Sequence, residues 1–282
     1  MIYIMNKPKS LVSVVLAVIL IMVSDSNAQN SGKYADVNGL KMYYEIHGSG
    51  EPLVLIHGGG STIETSFGRV MPLFVKTRKV IAVERQAHGR TADREAAATF
   101  EQDADDIAAL LKQLGIKQAD FLGFSNGGHT TIEIALRHPQ IVRKLVLASA
   151  NISREGMAPE FWKGMENPKF GDMPQIYKDA FLKVNNDPAA LMRMFERDSS
   201  RMKTFKGWTE AQIRSIKHPV LIVNGDKNDI LVEHAVHTFR LFPNAQLLIL
   251  PGGHGAYMEE AMFPNTDRAP TFVELINQFL AH

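Results

Sequence analysis

Cysteine is missing altogether from the 282 residues. That absence excludes a disulfide framework, a thiol nucleophile and the lipid-bearing cysteine of a bacterial lipoprotein. An excess of charge is missing too, since 31 Lys and Arg stand against 30 Asp and Glu for a formal net charge of +1. A near-neutral chain has no field to steer it toward nucleic acid or an anionic membrane, so the expected partner is a small molecule. No apolar run reaches the roughly twenty residues that a spanning helix requires. The candidate, Leu11 to Val23, is shorter and is stopped by Ser24 and Asp25. With Lys7 and Lys9 before it and Ser26-Asn27-Ala28 after it, the run has the layout of an export signal cleaved after Ala28. The expectation is a signal peptide over residues 1–28 and a mature chain starting near Gln29, periplasmic or secreted, with no stable membrane anchor after cleavage. Internal repeats and low-complexity tracts are also absent.

What remains has ordinary globular composition, 45% hydrophobic and 22% charged. Lys33 to Val37 and Leu40 to Ile46 flank Asn38-Gly39, a dipeptide whose two residues tolerate positive φ, which predicts a hairpin. Six short apolar runs then read as buried strands: Pro52 to Ile56, Val80 to Val83, Asp120 to Phe124, Lys144 to Ala148, Val220 to Val223 and Gln246 to Leu250. Helical spacing appears over Phe100 to Leu114, Asn126 to Arg137 and Phe272 to Ala281. Strands alternating with helices predict an α/β fold, a mostly parallel sheet of about eight strands with helices on both faces. From Asn151 to Lys217 the alternation stops, and large apolar residues such as Phe161, Trp162, Met194 and Phe205 accumulate without a strand. This predicts an inserted helical cap at residues 151–217 between core segments 29–150 and 218–282, with most apolar cap residues serving packing and a few lining a pocket.

Gly123-Phe124-Ser125-Asn126-Gly127 fits G-x-S-x-G between an apolar strand and a helix, the context in which a serine projects from a sharp turn as nucleophile. His57-Gly58-Gly59-Gly60 follows the strand ending at Ile56, where a backbone N–H of Gly58 or Gly59 can meet the oxyanion of a tetrahedral intermediate and the Asn126 N–H can supply a second donor. A phosphate loop is excluded, because Ile63 stands where G-x-G-x-x-G needs its last glycine and no Gly-Lys-Ser/Thr follows. Among ten histidines, His254 in Pro251-Gly252-Gly253-His254-Gly255 stands directly after the last strand, on a loop that can carry an imidazole back to Ser125. His88 is expected to shape a turn. His234 and His237 share a helical face with Glu233, but without a third ligand cluster a solvated helix surface explains them, so no metal is expected.

The order serine, acid, histidine differs from the chymotrypsin and subtilisin orders. Val223-Asn224-Gly225-Asp226-Lys227-Asn228-Asp229 offers two carboxylates at the end of the penultimate strand. With HGGG, GFSNGG, NGDKND and PGGHG in hand, the run from Pro52 to the C-terminus resembles the α/β-hydrolase superfamily. The resemblance implies a serine hydrolase with an acid three residues after the strand-ending glycine, and that position holds Asn228. An Asn can orient a histidine but cannot stabilise an imidazolium as a carboxylate does. Asp229 is therefore the first choice for the acid, Asp226 the second and Asn228 the third. The implied activity is cleavage of ester-like bonds in small, neutral, moderately hydrophobic substrates through an acyl-enzyme, with no cofactor. C–C bond hydrolysis, acyl transfer and perhydrolysis on the same triad, or a non-catalytic ligand-binding protein of this fold, are the alternatives. Epoxide hydrolases and haloalkane dehalogenases resemble the same fold but place Asp where Ser125 stands.

Overall fold

A computed structural model describes residues 32–281. The export-signal expectation for residues 1–28 falls outside the described residues. Strands β1 (Lys33–Val37) and β2 (Leu40–His47) form the expected hairpin, with Asn38 and Gly39 at φ 48° and 77°. They are followed by β3 (Pro52–Ile56), helices α1 (Ile63–Phe67) and α2 (Met71–Phe74), β4 (Lys79–Val83) and α3 (Phe100–Gln113). Next come β5 (Ala119–Phe124), α4 (Asn126–Arg137) and β6 (Val142–Ala148). Four helices then run without an intervening strand: α5 (Pro159–Glu166), α6 (Gln175–Val184), α7 (Pro188–Thr204) and α8 (Glu210–Ser215). The chain closes with β7 (Val220–Gly225), α9 (Val232–Leu241), β8 (Ala245–Leu250) and α10 (Ala269–Ala281).

The eight strands form one sheet in the order β1-β2-β4-β3-β5-β6-β7-β8, antiparallel through β2 and β4 and parallel from β4 onward. Because side chains alternate across a strand, β3 serves two cores at once. Val54 and Ile56 join Ile107, Leu110 and Ile132 on the face covered by α3 and α4, while Leu53 and Leu55 join Phe67, Phe74, Phe272 and Ile276 on the other. Burial on both faces is why these strands read as near-continuous apolar runs. A parallel sheet gathers the C-terminal ends of its strands along one edge, and the loops leaving β3, β5, β7 and β8 meet there.

Candidate active site

Ser125 sits between β5 and α4 at φ 53° and ψ −120°, a backbone conformation that costs a residue with a side chain about 1–3 kcal/mol. The surroundings impose it. Ser125 N–H donates to Ala148 O at 2.8 Å, and Ser125 O accepts from Gly128 N at 2.8 Å. Packing leaves no room for side chains on the flanking glycines: a Cβ on Gly123 would lie 2.2 Å from Gly127 O, and one on Gly127 would lie 2.0 Å from Ile56 O. The motif glycines thus record how closely β5, α4 and the end of β3 approach one another.

The loop after β3 brings its backbone to the same place. Gly58 N–H is engaged, donating to Ser66 Oγ at 3.2 Å, so of the two candidate loop donors Gly58 is directed away from the serine. Gly59 and Asn126 keep N–H groups with no protein acceptor among the described residues. For Asn126 this follows from its place as the first residue of α4, where helical N–H groups lack partners. Gly59 lines the same cavity as Ser125, and a Cβ there would meet Asn126 Nδ2 at 2.6 Å.

His254 arrives on the glycine loop after β8 and lines that cavity with Ser125. Its Nδ1 meets Asn228 Oδ1 at 2.9 Å. The hydrogen bond falls on neither carboxylate placed ahead of Asn228 by the sequence. Asp226 Oδ1 accepts from Gly252 N at 2.7 Å and ties the β7 and β8 loops together. Asp229, one residue beyond Asn228, turns outward to an exposed position on the cavity wall and reaches His254 only through its charge. The Asn228 amide has one available orientation: its Nδ2 donates to Ser149 Oγ at 2.8 Å and to Asn224 Oδ1 at 2.5 Å, while its Oδ1 also accepts from Ile230 N at 3.2 Å. The oxygen therefore faces His254, Nδ1 carries the hydrogen, and Nε2 is left with the lone pair a general base needs. Burial lowers the His254 pKa to about 4, with the Asp229 charge working in the opposite direction. Ser125 Oγ makes no hydrogen bond to His254 in this arrangement.

Sequence reasoning missed the supports behind these groups. Asn224 and Ser149 stand at the ends of β7 and β6 and fix Asn228, and Tyr257 shares a 2.7 Å hydrogen bond with Ser149. His88 does more than shape a turn: it is buried, with Nδ1 on Gln86 O at 2.9 Å and Nε2 on Asp198 Oδ2 of α7 at 2.8 Å. Burial by itself would raise the Asp198 pKa, but His88, Arg85 and Arg201 outweigh it and hold the carboxyl well below its usual range. His234 is not on a solvated surface; it is buried, accepts the Ile152 N–H at 3.1 Å and has its pKa lowered to about 4 by burial. Among the described residues no group of His, Cys, Asp or Glu is arranged to hold a metal ion.

The cavity measures about 420 Å³. The segment between β6 and β7 lines it with apolar residues, Met157, Phe161, Met165, Met194, Phe195 and Met202, and the charged lining residues are Asp172, Asp198, Asp229 and Lys169. No arginine lines it.

An elbow serine, a histidine after the last strand and unengaged backbone donors at the ends of parallel strands define a hydrolase of the α/β type. The chain matches the family model of the alpha/beta hydrolase fold over residues 51–211 and belongs to that family. It is 28% identical over 289 residues to the 2-hydroxymuconate semialdehyde hydrolase of Pseudomonas sp. (strain CF600), covering 92% of this chain and 97% of that protein. It is 26% identical over 263 residues to the bifunctional esterase/perhydrolase DCH of Acinetobacter calcoaceticus, covering 82% and 95%. Among solved structures, the meta-cleavage product hydrolase of Pseudomonas fluorescens IP01 superposes with a TM-score of 0.74 at 20% identity, covering 89% of this chain and 97% of that one. At that identity the likeness speaks to the fold.

Proposed function

We propose that this hydrolase cleaves ester-like bonds of small, neutral, moderately hydrophobic substrates through an acyl-enzyme on Ser125. The observation that carries the reading is the shared cavity of Ser125 and His254, with the imidazole held at Nδ1 by Asn228. Ser125 Oγ attacks the carbonyl carbon as its proton passes to His254 Nε2, and the resulting oxyanion is taken by the Gly59 and Asn126 N–H groups. The intermediate collapses, the alcohol leaves with the proton from His254, and a water activated by the same ring hydrolyses the acyl-enzyme.

The substrate class rests on the cavity wall. Methionine and phenylalanine favour apolar groups, and a lining with one lysine and no arginine offers no basic clamp for an anionic one. C–C bond hydrolysis is the second reading, favoured by the relative named for a semialdehyde. A panel of nitrophenyl esters, neutral and carboxylate-bearing, run beside an anionic dienone tests both. Faster turnover of neutral esters supports the proposal, and preferential cleavage of the dienone overturns it. Export of the mature chain from near Gln29 is part of the same proposal and rests on residues 7–28 alone.

A further inference from the structure

The chemistry above needs the Gly59 N–H aimed at the substrate oxygen, yet Gly59 lies in a run of three glycines, where peptide planes turn over at little cost. The aim is set from the other end of the same peptide unit. Gly58 O accepts two hydrogen bonds, from His57 Nδ1 at 2.7 Å and from Arg85 Nη2 at 3.0 Å. No peptide bond among the described residues is cis, so the Gly58 carbonyl and the Gly59 N–H point in opposite directions within one plane. Fixing the carbonyl fixes the N–H.

Both donors are themselves held. His57 Nε2 accepts the Arg85 backbone N–H at 3.1 Å, which puts the ring hydrogen on Nδ1, and burial keeps the imidazole neutral by lowering its pKa well below the usual value. Arg85 is fully buried, and its Nη1 donates to Asp103 Oδ2 at 3.2 Å, an oxygen that also takes Arg201 Nη1 at 2.8 Å. Asp103 and Arg85 lie outside the cavity lining, so this guanidinium is not placed to bind substrate. On the far side of the loop Gly60 N–H donates to Asp198 Oδ2 at 2.6 Å.

We propose that Arg85 is a positioning residue for the oxyanion hole, its guanidinium locking and polarising the Gly58–Gly59 peptide so that the Gly59 N–H faces the carbonyl oxygen of a substrate at Ser125. A cationic donor on a peptide oxygen draws electron density away from the nitrogen and strengthens the N–H as a donor. Removing Arg85 leaves the carbonyl on His57 alone and the glycine peptide free to turn.

The inference rests on the reading of Ser125 as nucleophile, and the test separates the two. Arg85→Met and Arg85→Lys are compared with the unmodified protein for kcat and KM on a neutral nitrophenyl ester. Affinity is measured for a trifluoromethyl ketone, which forms a hemiketal oxyanion on a nucleophilic serine and is followed by its fluorine resonance. Arg85→Met should lose roughly 10–100-fold in kcat with KM within about threefold, somewhat less than the loss of a whole oxyanion donor. Ketone affinity should fall by the same factor, and Arg85→Lys, which keeps a cationic donor, should regain part of both. Should Arg85→Met not fold, Arg85→Lys against the unmodified protein carries the same comparison. Ketone affinity unchanged in folded variants, or a loss confined to thermal stability, overturns the role of Arg85. No hemiketal on Ser125 in the unmodified protein overturns the functional reading itself.

Discussion

Replacing Asn228 by Asp exchanges a neutral partner of His254 for a charged one without changing its size. The new carboxylate would meet Nδ1 where Asn228 Oδ1 now lies, 2.9 Å away. Opposite charges about 4 Å apart attract by about 4 kcal/mol at an effective dielectric of about 20, and partial exposure of residue 228 brings this nearer 2 kcal/mol. About 1.4 kcal/mol is a tenfold change, so the imidazolium gains roughly one to two powers of ten. The base works only when neutral, so activity falls as pH drops through the His254 pKa. That limb should lie near pH 4 in the natural protein, where burial depresses the ring, and Asn228→Asp should move it upward by roughly 1.5 pH units. Because the same charge stabilises the imidazolium formed in the transition state, kcat at pH 8 should rise by roughly tenfold. The exchange has an opposing cost. The second carboxylate oxygen would stand 2.5 Å from Asn224 Oδ1, whose own amide is held by Nδ2 donating to Ile230 O at 2.9 Å. Two acceptors facing each other should cost about 1–3 kcal/mol of stability. The assay is kcat/KM against pH on a neutral ester, with the unfolding midpoint in denaturant alongside. A folded variant whose acid limb does not move would refute the contact between residue 228 and His254.

Ser125→Ala and His254→Ala should each lower kcat by about 10³-fold or more, and the double variant should lose little beyond either, because the two act as one unit; near-additive losses would contradict this. Asp229→Asn removes a charge that raises the His254 pKa, so kcat should fall roughly 2–10-fold and the acid limb should move lower still. Asp226→Ala removes only the bond to Gly252 N and should cost about 0.5–1.5 kcal/mol of stability with kcat within about threefold; a crippled Asp226→Ala with normal Asp229→Asn would reverse these roles. Amino-terminal sequencing of exported protein should begin at or near Gln29, and an intact Met1 would contradict export.

The sheet was legible because its signals are local. Buried parallel strands show as short apolar runs, and the hairpin shows as Asn38-Gly39, both at positive φ. The serine was legible for the same reason, since the turn demands glycines within two residues of Ser125. The partner of His254 was legible as a position but not as a residue: the count of three from Gly225 lands on Asn228, whose Oδ1 meets the ring, and it ranked third only because a carboxylate stabilises an imidazolium better than an amide does. What the sequence does not carry is that Asp229, one residue on, stands exposed and makes no hydrogen bond to His254. His88 and Asp198 are 110 residues apart, and Arg85 reaches Gly58 across 27, so no local pattern announces either contact. His234 misled the surface reading because helical spacing gives a face but not what covers it, and the backbone of Ile152 lies over this one.

Everything proposed for this site depends on Ser125 being a nucleophile activated by His254. An alkyl fluorophosphonate probe followed by intact mass and peptide mapping reports on this, since an activated serine is phosphonylated far faster than an ordinary hydroxyl. One label per chain is expected, on the peptide carrying Ser125, lost in Ser125→Ala and slowed by about 10²-fold or more in His254→Ala. No label on the folded protein, or a label on another residue that persists in Ser125→Ala, would contradict it.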